Sequence, residues 1–577
     1  MGEQKNLFLA IILSLVVLIG YQKFFVEPQQ EQYEAAQREA ARLNPTPDAN
    51  TPQPSAGNNA ATPATATMQQ SVIDPASIPR VAIDTPRLTG SISLKGAFVD
   101  DLTLIDYRQD VDQTSDKIQL LIPHYEDNAY YIDHSWTLDG AHKGPDKDTI
   151  WTASSEVLTP DSPVTLSWSN DTGLTFQRTI SVDQNYMFKI SQTIINNSDV
   201  DVKAAPFGRI IRQTLPESTA MAILHEGPLG VFGEALEEVS YSDLIEDGSE
   251  TFTSQGGWMG ITDKYWLTSL IPDQSAPIKS RMQYNRPNRV DRFQVDYIEN
   301  SYTTVPAGQS NMVESHFFAG AKEVDVVEAY AEQLNIRLFD RTIDWGWLIF
   351  LTKPLFYLLS FLNGLVGNVG ISILLMTVIV KAILFPLANK QYVSMTKMKQ
   401  MAPKIKKLQE RYKDDRMQLQ QEMMKMYQKE KVNPMAGCLP ILIQLPVFFA
   451  LYKTLYVSLE MRHQPFFGWI QDLSAPDPIW ITTLFGAFPW DVPGFLQIGI
   501  WPIVMGITMW MQQKLNPAPQ DPIQAKVMAF LPILFTFILA PFAVGLVIYW
   551  TWNNILSMAQ QWVIMRKLGV GINDDQS

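Results

Sequence analysis

Lys381 stands thirteen residues into an apolar run, Val369 to Leu387, in the context ISILLMTVIVKAILFPLAN, and no acidic residue in that run can pair with it. A lysine near the bilayer centre costs about 2.5 to 3.5 kcal/mol on the insertion scale, and such residues usually face a water-filled cavity. The other reading is a snorkelling side chain whose ammonium reaches the interface. Eight residues separate Lys381 from Asn389, about 12 Å at helical rise, further than a lysine stem comfortably extends. Thr377 lies one turn earlier, so its hydroxyl is expected on the same surface as the ammonium. Gln444, set between Pro440 and Pro446 in CLPILIQLPVFFALY, needs a polar partner or water inside hydrocarbon. Either the recess or a bond to a neighbouring helix would satisfy it. Asn553, Asn554, Ser557, Gln560 and Gln561 add polar groups to a late apolar run. Together these residues suggest a hydrated recess in the inner half of a membrane, which does the work of solvation and makes no bonds.

Bond-making chemistry lacks its ingredients. The one cysteine, Cys438, excludes an intramolecular disulfide and a Cys-rich metal centre. His124, His134, His142, His225, His316 and His463 are scattered, with no H-E-x-x-H pair. No phosphate loop of the form G-x-x-x-x-G-K-S/T is present, and His225 beside Glu226 does not amount to a paired acid and base. Catalytic residues, a metal, a cofactor and a small-molecule substrate are therefore not expected.

The elements that must position the recess follow from composition. A chain of 577 residues with net charge −14 suits two to four domains, and its mean hydropathy of −0.04 averages over segments of opposite character. Residues 1–26 contain LFLAIILSLVVLIGY, long enough with its continuation to span a bilayer. No small-residue cleavage pattern follows, so an uncleaved anchor is expected. Residues 27–70 read as a disordered tether rich in Pro, Ala, Thr, Asn and Gln. Over 71–342 short alternating segments such as PVTLSWS, LTFQRTISVD and YMFKISQTIINN predict a β-sandwich. An amphipathic helix from Glu323 to Asp340 closes it.

Residues 343–368, with Trp345, Trp347 and Pro354, predict a helix lying in the interface. Residues 369–567 then supply five spans: Val369 to Leu387, Met435 to Val457, Phe495 to Met511, Met528 to Ala540 and Val544 to Met565. With the anchor, six transmembrane helices are expected. Residues 568–577 form a tail.

Charge sets the orientation. The sandwich region carries 40 acidic and 21 basic side chains, net −19. The stretch Asn389 to Val432 carries twelve Lys or Arg against five Asp or Glu, which places it in the cytoplasm by the positive-inside rule. Both termini then fall inside and the sandwich outside. The stretch divides near Lys413 into two helical halves, a hairpin over 390–432 with Leu408, Tyr412, Leu419, Met423 and Met426 at helical spacing. Its basic, methionine-rich surface suits ribosomal RNA, a targeting apparatus or anionic membrane lipid, or else simply obeys the charge rule.

The segments VKAILFPLANKQYVSMTKMKQMAPKI, KVNPMAGCLPILIQLPVFFALY, DLSAPDP and GLVIYWTWNNILSMAQQW resemble the YidC-type membrane protein insertases of Gram-negative bacteria, relatives of mitochondrial oxidase-assembly and chloroplast Albino-type insertases. The resemblance is dense over residues 343–567 and architectural elsewhere. It implies a periplasmic supersandwich without sugar chemistry, and a cytoplasm-open groove with one buried cation in the inner membrane. It also implies newly made membrane proteins as clients, with the Sec translocon, the ribosome and the signal-recognition apparatus as partners. The family usually has arginine where this chain has Lys381, so the charge is kept and the planar fork is lost. The candidate groove residues are Lys381, Thr377, Gln444, Pro446 and Trp550. The candidate cytoplasmic contacts are Lys404, Lys406, Lys407, Arg411 and Lys413. Two rival readings are a transporter, which should show matching halves with broken helices, and a membrane-anchored carbohydrate enzyme. The first finds no internal repeat and the second no acid and base pair.

Overall fold

The structure is a computed structural model that describes residues 78–140, 142–215, 224–412, 415–430, 439–483, 497–516 and 522–569. The expected anchor, the tether, Lys413 and most of the tail lie outside the described residues. Two compact units divide between Asp344 and Trp345.

The first unit is a β-sandwich of an eleven-stranded and a nine-stranded sheet. Its strands form where the sequence alternates. Leu174–Val182 buries every second side chain, as its pattern of Leu, Phe, Arg, Ile and Val between polar residues requires. It pairs antiparallel with Met187–Asn196, joined by a turn in which Asp183 accepts from the backbone N–H groups of Asn185 at 2.9 Å and Met187 at 3.1 Å. In the core, Phe188 stacks on Phe317 with ring centroids 4.4 Å apart.

The closing helix, α1, spans Val324–Gln333 and is shorter than the sequence suggested. Asn335 and Leu338 adopt positive φ, 50° and 52°, which ends the regular helix. The break buries Ile336 and Phe339, and Trp258 Nε1 fastens the turn by donating to the Arg337 carbonyl at 3.0 Å. Packing of two apolar residues against the sheet therefore overrides local helical periodicity. Glu323, just before α1, accepts from both Arg87 and the hydroxyls of Tyr107 and Tyr186, tying the helix to the sandwich.

The second unit is helical. Helix α2 spans Ile349–Val366, with Pro354 inside it, and ends at Gly367, whose φ of 70° and N–H bond to the Asn363 carbonyl make a C-cap. Helix α3 runs unbroken over 43 residues, Val369–Arg411, so the expected second span and the first arm of the hairpin are one rod. Asn368 caps it by accepting from the Ile371 N–H at 3.0 Å. Helix α4, Arg416–Lys429, is the second arm, capped by Asp415. Then follow α5 Leu439–Val457, α6 Ile500–Leu515, α7 Pro522–Leu539 and α8 Val544–Lys567. Among the described residues, Ile349–Val366 and Val369–Met401 are long and apolar enough to cross a membrane, and Ala525–Leu539 is a shorter apolar helix.

Candidate functional site

Helix α8 carries the partners of two candidate groove residues, Lys381 and Gln444. Lys381 on α3 donates from Nζ to Ser557 Oγ at 2.6 Å, and Ser557 in turn donates to the Asn553 carbonyl at 2.7 Å. No carboxylate forms an ion pair with Lys381 among the described residues, and an ammonium has three donors. One donor is bound to the serine, and the half-buried charge has no counter-ion among the described residues.

Gln444 on α5 donates from Nε2 to Tyr549 Oη on α8 at 2.5 Å. This is the neighbouring-helix partner that its sequence context allowed. Tyr549 and Ser557 are eight residues apart, about 12 Å along α8, so Lys381 and Gln444 dock on the same helix more than two turns apart. Thr377 behaves otherwise. It is buried, and its hydroxyl donates to the Ile373 carbonyl of its own helix at 2.6 Å, which leaves no donor for a recess. Pro446 lies inside α5, where its missing N–H releases the carbonyl one turn earlier. Trp550 sits between α5 and α7: its ring meets Phe448 edge-on at 4.5 Å and Phe535 at 5.6 Å.

The polar residues late in α8 divide their work. Ser557 faces Lys381, whereas Asn554 donates to Thr508 on α6 at 3.2 Å and Gln561 to the Leu515 carbonyl at 3.0 Å. Those two amides form a seam between α8 and α6, and only part of the polar cluster surrounds the cation.

Sequence reasoning missed Tyr549 and Asp477. Asp477, almost fully buried, accepts from Trp469 Nε1 at 3.0 Å, from the Ile479 N–H at 3.2 Å and from the Trp501 N–H at 2.9 Å. Its carboxylate caps the first turn of α6, where Gly499 offers no side chain, and a charge there also suits the helix dipole. The same loop closes over α8, whose Val544 and Gly545 N–H groups donate to the carbonyls of Ala475 and Leu473 at 2.8 and 3.0 Å. A lone Asp flanked by two prolines in APDP was the available signal.

In the hairpin, Met401 and Ile405 of α3 bury against Tyr427 of α4, with Met398, Met423 and Met426 around them. Lys404, Lys406, Lys407 and Arg411 are exposed, and Lys404 pairs with Glu430 at 3.2 Å. Lys399 is buried.

A helical unit with two helices long and apolar enough to cross a membrane among the described residues, following a β-sandwich in the chain, defines a membrane protein with a large extramembrane domain. Residues 361–570 match the family described as 60Kd inner membrane protein, and residues 80–358 match the YidC periplasmic domain. The chain belongs to the YidC family of membrane protein insertases. It is 47% identical over 563 residues to the membrane protein insertase YidC of Rickettsia rickettsii, an alignment covering 97% of this chain and 98% of that one. It is also 47% identical over 580 residues to that of Rhizobium meliloti, covering 99% and 97%. Among solved structures, an active YidC insertase with its first transmembrane domain resolved is 18% identical, with TM-score 0.34, over 84% of this chain and 93% of that one.

Proposed function

We propose that the chain inserts newly made proteins into the bacterial inner membrane, and helps them fold there, through a hydrated recess around Lys381 that opens to the cytoplasm. The observation that carries this reading is the Lys381 ammonium, bound to Ser557 and lacking a counter-ion among the described residues, inside an otherwise apolar run. A short hydrophilic tail of the client enters beside that cation, which lowers the cost of bringing polar groups into the bilayer. The adjoining hydrophobic segment then passes along α5 and α7, past Pro446 and the Trp550 ring, into lipid. Burial of apolar surface, at about 25 cal/mol per Å², supplies the drive, and the recess lowers the barrier. Gln444 holds α5 against α8, and Thr377 contributes packing.

In this reading six spans cross the membrane, α2 lies in the interface, both termini are cytoplasmic and the sandwich is periplasmic. The exposed Lys404, Lys406, Lys407 and Arg411, with Lys413, meet the ribosome or a targeting factor, and the Sec translocon is a partner for larger clients. No nucleotide is consumed. The deciding experiment is insertion of a short single-span protein into proteoliposomes in which this chain is the only added component. Insertion well above that of empty liposomes is expected, and an equal yield in both would overturn the reading.

A further inference from the structure

One face of the eleven-stranded sheet carries a charge pattern that insertion does not use, with Asp133 and Asp296 buried in it. Four strands run side by side there: Tyr130–Leu138, Val202–Gln213, Arg292–Glu299 and Pro277–Asn285. Their antiparallel register aligns Asp133, Arg209, Asp296 and Arg281 in one row across the sheet, and residues directly opposite share a face. The row alternates in sign and is internally satisfied. Arg209 donates from Nε to Asp133 at 2.8 Å, and Asp296 accepts from Arg281 at 3.1 Å and from Gln294 at 2.6 Å.

Arg292 breaks the pattern. It lies on the same face, two residues from Gln294 along the strand and opposite Gln213 and Asn285. Its Nε is buried without a hydrogen-bond partner among the described residues, and its Nη2 donates to Gln294 Oε1 at 3.5 Å. No carboxylate forms an ion pair with it among the described residues. Burial lowers its pKa, the Tyr131 phenol nearby raises it, and the like charge of Arg209 lowers it again. Tyr131, in the next row, leans on Phe98 with centroids 5.1 Å apart and on His124 at 6.2 Å. A local positive excess inside a domain of net charge −19 has no role in solubility.

We propose that Arg292, with the Tyr131 hydroxyl beside it, forms a binding site for an oxyanion, a carboxylate or a phosphate group. A guanidinium presents a planar fork that suits both groups, and no carboxylate among the described residues occupies the fork of Arg292. The anion comes either from a small solute or from a lipid headgroup, and the site is independent of the Lys381 recess.

The test is equilibrium binding to the full chain in neutral detergent of three probes: inorganic phosphate, glucuronate and dioctanoyl phosphatidylglycerol. Saturable binding of at least one is expected, weakened about tenfold or more by Arg292→Gln, as loss of a charged hydrogen bond implies, and partly kept by Arg292→Lys. Binding of the lipid alone assigns a headgroup, and binding of phosphate or glucuronate assigns a solute. If Arg292→Gln proves unfolded by its melting profile, Tyr131→Phe replaces it, with a several-fold weakening expected. No saturable binding of any probe overturns the proposal. So does equal affinity of wild type and the folded variants.

Discussion

At the scale of single residues, the cation and the cap make separable predictions. If the Lys381 ammonium attracts acidic tails in a hydrated recess, one charge contributes about 1 to 4 kcal/mol at close range. Lys381→Arg is then expected to be fully active, Lys381→Ala to slow clients with acidic tails while sparing neutral ones, and Lys381→Glu to be worst for acidic tails. Insertion rates of one client carrying tails that differ by a single Asp measure this, and equal rates for both tails in every variant would sink the electrostatic mechanism. Asp477 concerns stability. Asp477→Ala removes a helix cap, about 0.5 to 2 kcal/mol, and leaves the Trp469 and Trp501 N–H groups unsatisfied, each at about 1 to 3 kcal/mol. A clear fall in melting temperature of the detergent-solubilised chain is expected, with Asp477→Asn losing less. Legibility at this scale was uneven. Lys381 was visible because charge in hydrocarbon is rare, and Gln444 because an amide there must bond. For Thr377 spacing gives the helix face but not the i−4 carbonyl to which its hydroxyl donates.

At the scale of elements, periodicity told most of the story. The strands around Leu174 and Met187 and the hairpin break near Lys413 follow the written pattern. What the pattern left out was long-range: the sheet that pulls Ile336 and Phe339 inward and cuts α1 short, and the pairing of Tyr427 with Met401 across the hairpin. The strand Tyr130–Leu138 carries a prediction of its own. His134 is buried against Phe317, and burial, then the Arg178 charge, pushes its pKa down to about 3. An unfolded histidine titrates near about 6.5, so between these values only the unfolded chain takes up the proton. Stability is fully present above about pH 6.5 and is lost as pH falls toward 3. Urea midpoints followed by tryptophan fluorescence should drop between pH 7.5 and 4.5, and His134→Gln should flatten that slope while lowering stability at pH 7.5. An unchanged slope would place the acid sensitivity elsewhere.

At the scale of the whole molecule, topology and division of labour are testable. A cysteine placed at Gln420 is expected to react with a membrane-impermeant reagent only after the inner face is exposed. Labelling in intact cells with an opened outer membrane would reverse the orientation. Residues 75–310 are expected to be dispensable for insertion, since every recess residue belongs to the helical unit, whereas α1 precedes the chain's entry into α2. Viable cells carrying that deletion would agree, and lost insertion at normal protein levels would not. The unbroken α3 has a mechanical consequence. Its 43 residues amount to about 64 Å of continuous helix, with Lys381 toward one end, Pro386 and Pro403 within it, and the hairpin contacts at the other. A docking body that pushes on the hairpin moves the recess directly, because no slack linker lies between to absorb the displacement. Two glycines inserted after Asn389 would turn this lever into a joint. Clients that insert unaided should then be unaffected, while any advantage conferred by docking at the hairpin would fade.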